Sequence, residues 1–564
     1  MCRFLTVQAV KTAGLSVALS MAGLQAAQAD GLLIHGGPIY TANDAAPMAE
    51  AVLVDDGIIR YVGALAEAQA QAEGRTDITR IDLDGAAFFP GFTDSHAHLY
   101  GIGMREMTLN LEGVASIADL QDRLGKHLET VAPGALVIGR GWIETHWPEG
   151  RFPTRSDLDA VSRDHRIILV RADGHAAVAS SNVLAQSGIT ADSTPPFGGD
   201  ILKDETGVPT GMLIDTAMNL VLTGDDQDQS VDRVAVYEKA DKVYRSYGWT
   251  GLHNMSVLPA DVPLLERLSD EGQITLRVYN SIDQEGAAAL MASGPSLSEN
   301  GRIQTRAVKL YMDGALGSRG AALLDPYADA PTSGLLMMKK AETSAFLERA
   351  LKAGIQINTH AIGDKANQML LDWYKDAFDA VDAADRGVEN PRWRIEHAQI
   401  LDPDDMDRFA EMGVIASMQP SHAIGDLHFA PFRLGQERLV GAYAWKTLLD
   451  KGTMIVAGSD APVERGDPMI EFYAAVGRMD LNGFSAQGWH PEQAVDRMTA
   501  LKMFTLWPAV ASFQEDEIGS ITVGKRADFS AFSKDIMRVP VADIPQTHAV
   551  LTIIDGEIVY RAGM

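Results

Sequence analysis

Short apolar runs alternate with helix-period stretches through the middle of the chain. Ala341 to Ala353 predicts a helix ended by Gly354, and the strand IQINTH follows at once. Asp364 caps a second predicted helix, and WRIEHAQI reads as the next strand. Asp402-Pro403 opens a further helix that Gly413 ends ahead of VIASMQP, and WKTLLDKG leads into TMIVAGSDAP. Apolar strands separated by single helices imply a parallel sheet with crossover helices. The strand set is FTDSHAH, TGLHNM, LRVYNS, AVKLYMDG, IQINTH, RIEHAQ, VIASMQP and MIVAGSD, the eight needed to close a (β/α)8 TIM barrel.

The ends of the chain follow a different period. AVLVDDGIIRYVG (Ala51 to Gly63) and LTIIDGEIVYRAG (Leu551 to Gly563) each place two apolar runs around an Asp-Gly pair. Each predicts a hairpin with a type I′ turn. The expected fold is α/β: a barrel over 89–510 and a small composite β-sandwich built from 30–88 and 511–564. The stretch from about 117 to 247, which includes VIGRGW and IILVRADGH, is expected to be an insertion after the first barrel strand, long enough to cover the barrel mouth.

With 564 residues, 46% hydrophobic and 22% charged, the chain has room for a large core. The net charge of −28 sets it against nucleic-acid binding, where phosphates are met by Lys and Arg. Residues 1–29 read as an export leader: Arg3 and Lys11, then an apolar segment from Thr12 to Leu24, then a small-x-small site with cleavage after Ala29. A periplasmic or secreted protein is therefore expected, with no stable membrane insertion once the leader is removed. The only cysteine, Cys2, lies in that leader, so the mature chain has neither disulfide nor thiol ligand.

Against this frame, the polar residues at strand ends change the picture. His96 and His98 are two apart at the end of an apolar strand, so their side chains share a face. Lys309 lies in AVKLYMDG, His360 ends IQINTH, His397 ends RIEH and Asp460 ends MIVAGSD. Barrel active sites sit at that end of the strands. Four histidines, a lysine and an aspartate at the tips of five strands are hard to explain as packing, since a buried lysine is costly without a partner. Imidazole and carboxylate donors favour zinc, with manganese or iron as alternatives.

The phrases PGFTDSHAH, GWIETHWPEGRFPTRSDLDAV, VKLYMDGALGSRGAAL, INTHAIGDKA, IEHAQ and GSDAPV resemble the amidohydrolase superfamily, metal-dependent amidohydrolase family 3, in the subgroup that contains N-substituted formamide deformylase. The resemblance spans nearly the whole mature chain. It implies that His96 and His98 bind the more buried metal and that His360 and His397 hold a second. It also implies that a carboxylated Lys309 bridges the two, and that Asp460 touches the first metal and shuttles protons. Unmodified, Lys309 would be a cation in the site, and a single-metal centre would be expected instead. His175, in RADGHAAV, matches a family motif and is expected to donate to the substrate carbonyl. Trp142, His146, Trp147, Arg319 and His422 are the expected substrate contacts.

The expected activity is hydrolysis of a linear amide or an N-formyl or N-acyl amine in a small molecule. Deamination, ester or carbamate cleavage and isomerisation stand as alternatives on the same fold, as does a non-catalytic solute-binding or regulatory role. A homodimer is compatible with the sequence.

Overall fold

The computed structural model describes residues 31–222, 231–485 and 489–562. The leader at 1–29 and the acidic stretch Asp225 to Asp228, expected to be a solvated loop, lie outside the described residues. Among the described residues, no helix is long and apolar enough to cross a membrane.

The eight expected runs form one parallel sheet in sequential order: Phe92–Ala97, Trp249–Val257, Arg277–Asp283, Ile303–Tyr311, Gln356–Ala361, Arg394–His397, Ile415–Met418 and Ile455–Ala457. Most of their residues are buried, as expected of strands covered by helices on one side and barrel core on the other. The helices Lys340–Ala353 and Met406–Met412 both end on left-handed glycines, Gly354 (φ 68°) and Gly413 (φ 66°). At Asp364–Ala380 the cap is Gly363, and Asp364 is the first helical residue; its carboxylate accepts from the Leu324 and Lys365 amides.

The first and last strands are not joined by a regular ladder. They meet through Asp94, whose carboxylate accepts from the Ser459 amide (2.9 Å), the Ser459 hydroxyl (2.6 Å), the Tyr244 hydroxyl (3.0 Å) and the His96 amide (3.1 Å). Two backbone bonds extend the seam, from the Asp460 amide to His96 O (2.6 Å) and from the His98 amide to Ala461 O (2.8 Å). The barrel is thus closed at its C-terminal end, beside the expected site.

Strands from both chain ends form a single eight-stranded sheet. It is branched: Gly31–Tyr40 pairs with Met48–Asp55, Ile78–Asp82 and Ala87–Pro90. A bulge between His35 and Ile39 allows one strand to serve two neighbours on the same edge. At this bulge Gly36 has φ 90°, and a Cβ there would fall 1.9 Å from Asp82 Oδ1. Both Asp-Gly hairpins have positive φ at both turn residues, 50° and 70° at Asp56-Gly57 and 52° and 77° at Asp555-Gly556, the type I′ signature. The two turns abut, since a Cβ on Gly57 would lie 2.6 Å from Asp555 O.

Between the first two barrel strands lies a separate six-stranded sheet made of Gly199–Lys203, Pro209–Asp215, Ala176–Ala179, Arg166–Arg171, Leu136–Trp142 and Leu109–Asn110, in that order. Its earliest strand along the chain, Leu109–Asn110, precedes the expected start at 117; two residues are too few to show a period. The helix Arg233–Tyr247 returns to the barrel, burying Tyr237 and Tyr244 in the barrel's own core.

Candidate metal centre and substrate cavity

Strand geometry delivers the side chains to one place. His96 leaves the first strand and His98 caps the helix that follows it. His360 lies on the fifth strand, His397 ends the sixth, and Asp460 follows the eighth. His397 (φ 75°) and Asp460 (φ 59°) are in the left-handed region, a bend that redirects the chain at the strand tip.

The imidazoles form a connected series. Ring centroids are 5.6 Å apart for His96 and His98, 4.9 Å for His96 and His397, and 4.5 Å for His360 and His397. Lys309 Nζ lies 3.2 Å from His96 Nε2. Asp460 Oδ1 lies 3.2 Å from His98 Nε2 and 3.5 Å from His96 Nε2. The six residues expected at strand tips are therefore brought together.

Whether they suit a cation is tested by what their other atoms do. His96 Nδ1 is 2.5 Å from Glu396 Oε2, His98 Nδ1 is 3.1 Å from Met255 O, and His397 Nδ1 is 2.8 Å from Gln419 Oε1. Each ring is pinned through Nδ1, which turns Nε2 toward the shared site; metal-ligating histidines are oriented in this way. One ligand atom each from His96, His397 and Asp460 lie within 4.8 Å of one another. Asp460 Oδ1 is buried and, though near His98 Nε2, meets it outside good hydrogen-bond geometry, a costly state unless another group satisfies it. Burial, reinforced by positively charged neighbours, pushes His96, His360 and His397 well below the usual histidine range, toward the neutral form that binds metals. Burial likewise brings the Lys309 ammonium down to about 8. The donor set fits a divalent cation.

Behind the rings is a buried ion network. Arg394 donates to Glu396 Oε2 (3.0 Å), Ser95 O (2.6 Å) and Ser417 Oγ (2.7 Å), and its Nη1 lies 2.7 Å from His253 Nδ1. Arg394 and Glu396 are 0% exposed. Neither was singled out in the sequence, nor was Asp94. Their signal was present in RIEH and TDSH: charged residues inside short strands whose neighbours are all core.

The inserted sheet supplies one wall. His175 Nδ1 is 2.6 Å from Asp215 Oδ1, and its ring is 5.0 Å from that of His360. Burial opposes protonation of His175, but the Asp215 carboxylate prevails and the His175 pKa rises. His422 joins from the other side, with its ring stacked 5.8 Å from His397 and its Nε2 3.7 Å from Asp460 Oδ2. Two cavities, of about 400 and about 690 Å³, meet at His175, His360, His397 and Asp460.

Three expected substrate contacts are elsewhere. Trp142 and Trp147 are buried in the core of the inserted sheet, with their indole N–H groups donating to Leu169 O (3.0 Å) and Val114 O (2.8 Å). An aromatic-rich motif supplied packing here, because that sheet needs a core of its own. Arg319 is paired with Asp329 at 2.9 Å and shapes its own loop. The side chain of His146 lies outside the described residues.

A (β/α)8 barrel whose open end gathers four imidazoles, a lysine and a carboxylate is the architecture of a metal-dependent hydrolase. The model of the Amidohydrolase family matches residues 79–560, and the chain belongs to that family. The putative amidohydrolase YtcJ of Bacillus subtilis (strain 168) is 31% identical over 540 residues, covering 93% of this chain and 99% of the relative. N-substituted formamide deformylase of Arthrobacter pascens is 27% identical over 546 residues, 94% of this chain and 98% of the relative. Among solved structures, an uncharacterized metal-dependent hydrolase from Pyrococcus horikoshii OT3 superposes with a TM-score of 0.73 at 28% identity, covering 91% of this chain and 99% of that one. The protein is a metal-dependent hydrolase acting on carbon–nitrogen bonds.

Proposed function

We propose that the enzyme cleaves a linear amide or N-formyl amine bond in a small molecule and releases an amine. The observation that carries this reading is the convergence of His96, His98, Lys309, His360, His397 and Asp460 at one barrel mouth, opening on two adjoining cavities. The formamide-cleaving relative supports the bond type.

His96, His98, His360 and His397 would hold one or two divalent cations, zinc first by donor type. Bound there, the metal would acidify water toward a pKa of about 7 and polarise the substrate carbonyl. Asp460 reaches both sides of the site through its two oxygens. It takes the proton from the attacking water and returns it to the leaving nitrogen, which departs only when protonated. His175, held by Asp215 through Nδ1, presents Nε2 to the carbonyl oxygen as it gains charge. Burial lowers the Lys309 ammonium to about 8, so the amine could lose a proton and add CO₂, and the resulting carbamate would give the site an anionic ligand. The leader-like pattern of residues 1–29 supports an exported enzyme.

The experiment is a screen of N-formyl and N-acyl amines with purified, metal-loaded protein, followed by chelation. Hydrolysis that disappears with chelator and returns with zinc is expected. Asp460→Asn should lower kcat by about 10³-fold while the circular dichroism spectrum stays unchanged. A full rate in that variant would remove Asp460 from proton transfer.

A further inference from the structure

Four arginines line the 400 Å³ cavity: Arg105, Arg140, Arg171 and Arg465. Three have carboxylate partners. Arg105 pairs with Glu106 (3.1 Å), Arg171 with Glu144 (2.8 Å) and Asp173, and Arg465 with Glu112 (2.9 Å). Arg140 pairs with none among the described residues. Among the described residues its guanidinium makes one hydrogen bond, from Nη2 to Ala172 O (3.0 Å), and its buried Nε–H meets no acceptor. The guanidinium lies under the Asp173-Gly174-His175 loop, so close that a Cβ on Gly174 would fall 3.1 Å from Nη2. Arg140 also lines the second cavity, together with His175 and Asp460.

Several carboxyl groups of the cavity pair with no lysine or arginine among the described residues, Asp426, Glu464 and Glu471 among them. Burial pushes all three upward, Glu464 to about 7, and an acid can meet burial by keeping its proton. A guanidinium has no such escape, because it stays charged at any working pH. Arg140 is therefore a fixed positive charge, half-buried and one loop from His175, with donors left over. The anions acting on it, Asp460 and Asp173, make no ion pair with it, so its desolvation is only partly offset, and an anionic ligand in contact would relieve the remaining cost.

We propose that Arg140 receives a carboxylate carried by the substrate, so that the enzyme's substrates are acidic N-acyl or N-formyl amines such as N-acylated amino acids or monoamides of dicarboxylic acids. This rests on the reaction proposed above. A guanidinium presents two parallel N–H groups to a carboxylate, which orients as well as binds. With the carboxylate on Arg140, the rest of the molecule extends past His175 toward Asp460, where the two cavities join. Arg140 acts here as a specificity-determining residue and takes no part in bond cleavage.

The test compares each acid with its carboxamide of the same skeleton, as substrates of the metal-loaded enzyme and, by calorimetry, as competing ligands. In the wild type the acid should be preferred by tenfold or more in kcat/KM, mainly through KM. Arg140→Met should bring that ratio toward one, and Arg140→Lys should restore part of it, since a point charge replaces the fork. Equal use of acid and carboxamide by the wild type, or an undiminished ratio in Arg140→Met, overturns the proposal. Should Arg140→Met fail to fold, the wild-type calorimetry decides alone: tighter binding of the acid that weakens with salt supports the proposal, and equal binding overturns it. Hydrolysis of neither acid nor carboxamide would overturn the proposed reaction instead, while the calorimetric comparison still judges Arg140.

Discussion

At the scale of single residues, the site depends on groups that never face the cavity. Glu396 fixes His96 at 2.5 Å and is itself fixed by Arg394, all of it sealed from solvent. A carboxylate on Nδ1 sets the tautomer and raises the basicity of Nε2. Glu396→Gln keeps the shape and removes the charge, so metal affinity should fall by about 10- to 100-fold in competition with a chelating dye. An unchanged affinity would mean that Glu396 only fills space. The six strand-tip residues were legible in the sequence because strand ends in a parallel barrel point to one face, so polar residues after apolar runs had one destination. Glu396, Arg394 and Arg140 were not, because their roles arise from partners far along the chain: the His96–Glu396 contact spans 300 positions. Arg140 lies in VIGRGW, where nothing local shows that other arginines will find carboxylates and this one will not.

Elements explain why those residues hold still. The barrel's last seam is short of backbone pairing, and Asp94 substitutes for it by accepting four hydrogen bonds from Ser459, Tyr244 and His96. Asp94→Ala would strand these donors in a dry interior. A loss of about 3 kcal/mol is expected, read as a lower denaturant midpoint for the barrel, with metal affinity falling alongside because His96 sits on the same seam. Equal midpoints for variant and wild type would show that the backbone bonds at His96 and His98 close the barrel unaided. The strand and helix pattern was readable because each crossover unit carries its own period and its own stop, as at Gly354 and Gly413. The inserted sheet misled at Trp142 and Trp147, since a tryptophan that packs a small core and one that lines a pocket look alike in sequence.

At the scale of the whole molecule, the terminal sheet is fastened to the barrel by charge. Arg277, on the third barrel strand, pairs with both Asp528 and Asp555 of the terminal sheet, while Arg302 (2.8 Å) and Arg526 (3.1 Å) converge on Asp555. Burial would raise the Asp555 pKa, but Arg277, Arg302 and Arg526 outweigh it and hold the carboxyl well below the usual aspartate range. A carboxylate depressed in the folded state adds stability that is fully present above its unfolded pKa of about 3.9. That stability is lost as pH falls below about 4 toward the folded value. Asp555→Asn isolates this contribution, because Asn tolerates the left-handed turn position that Asp555 occupies at φ 52°. The wild type should therefore be more resistant to urea than Asp555→Asn at pH 6, and the gap should narrow as pH drops below 4. A gap of constant size down to pH 3 would show that the turn, and not the ion cluster, ties the two chain ends to the barrel.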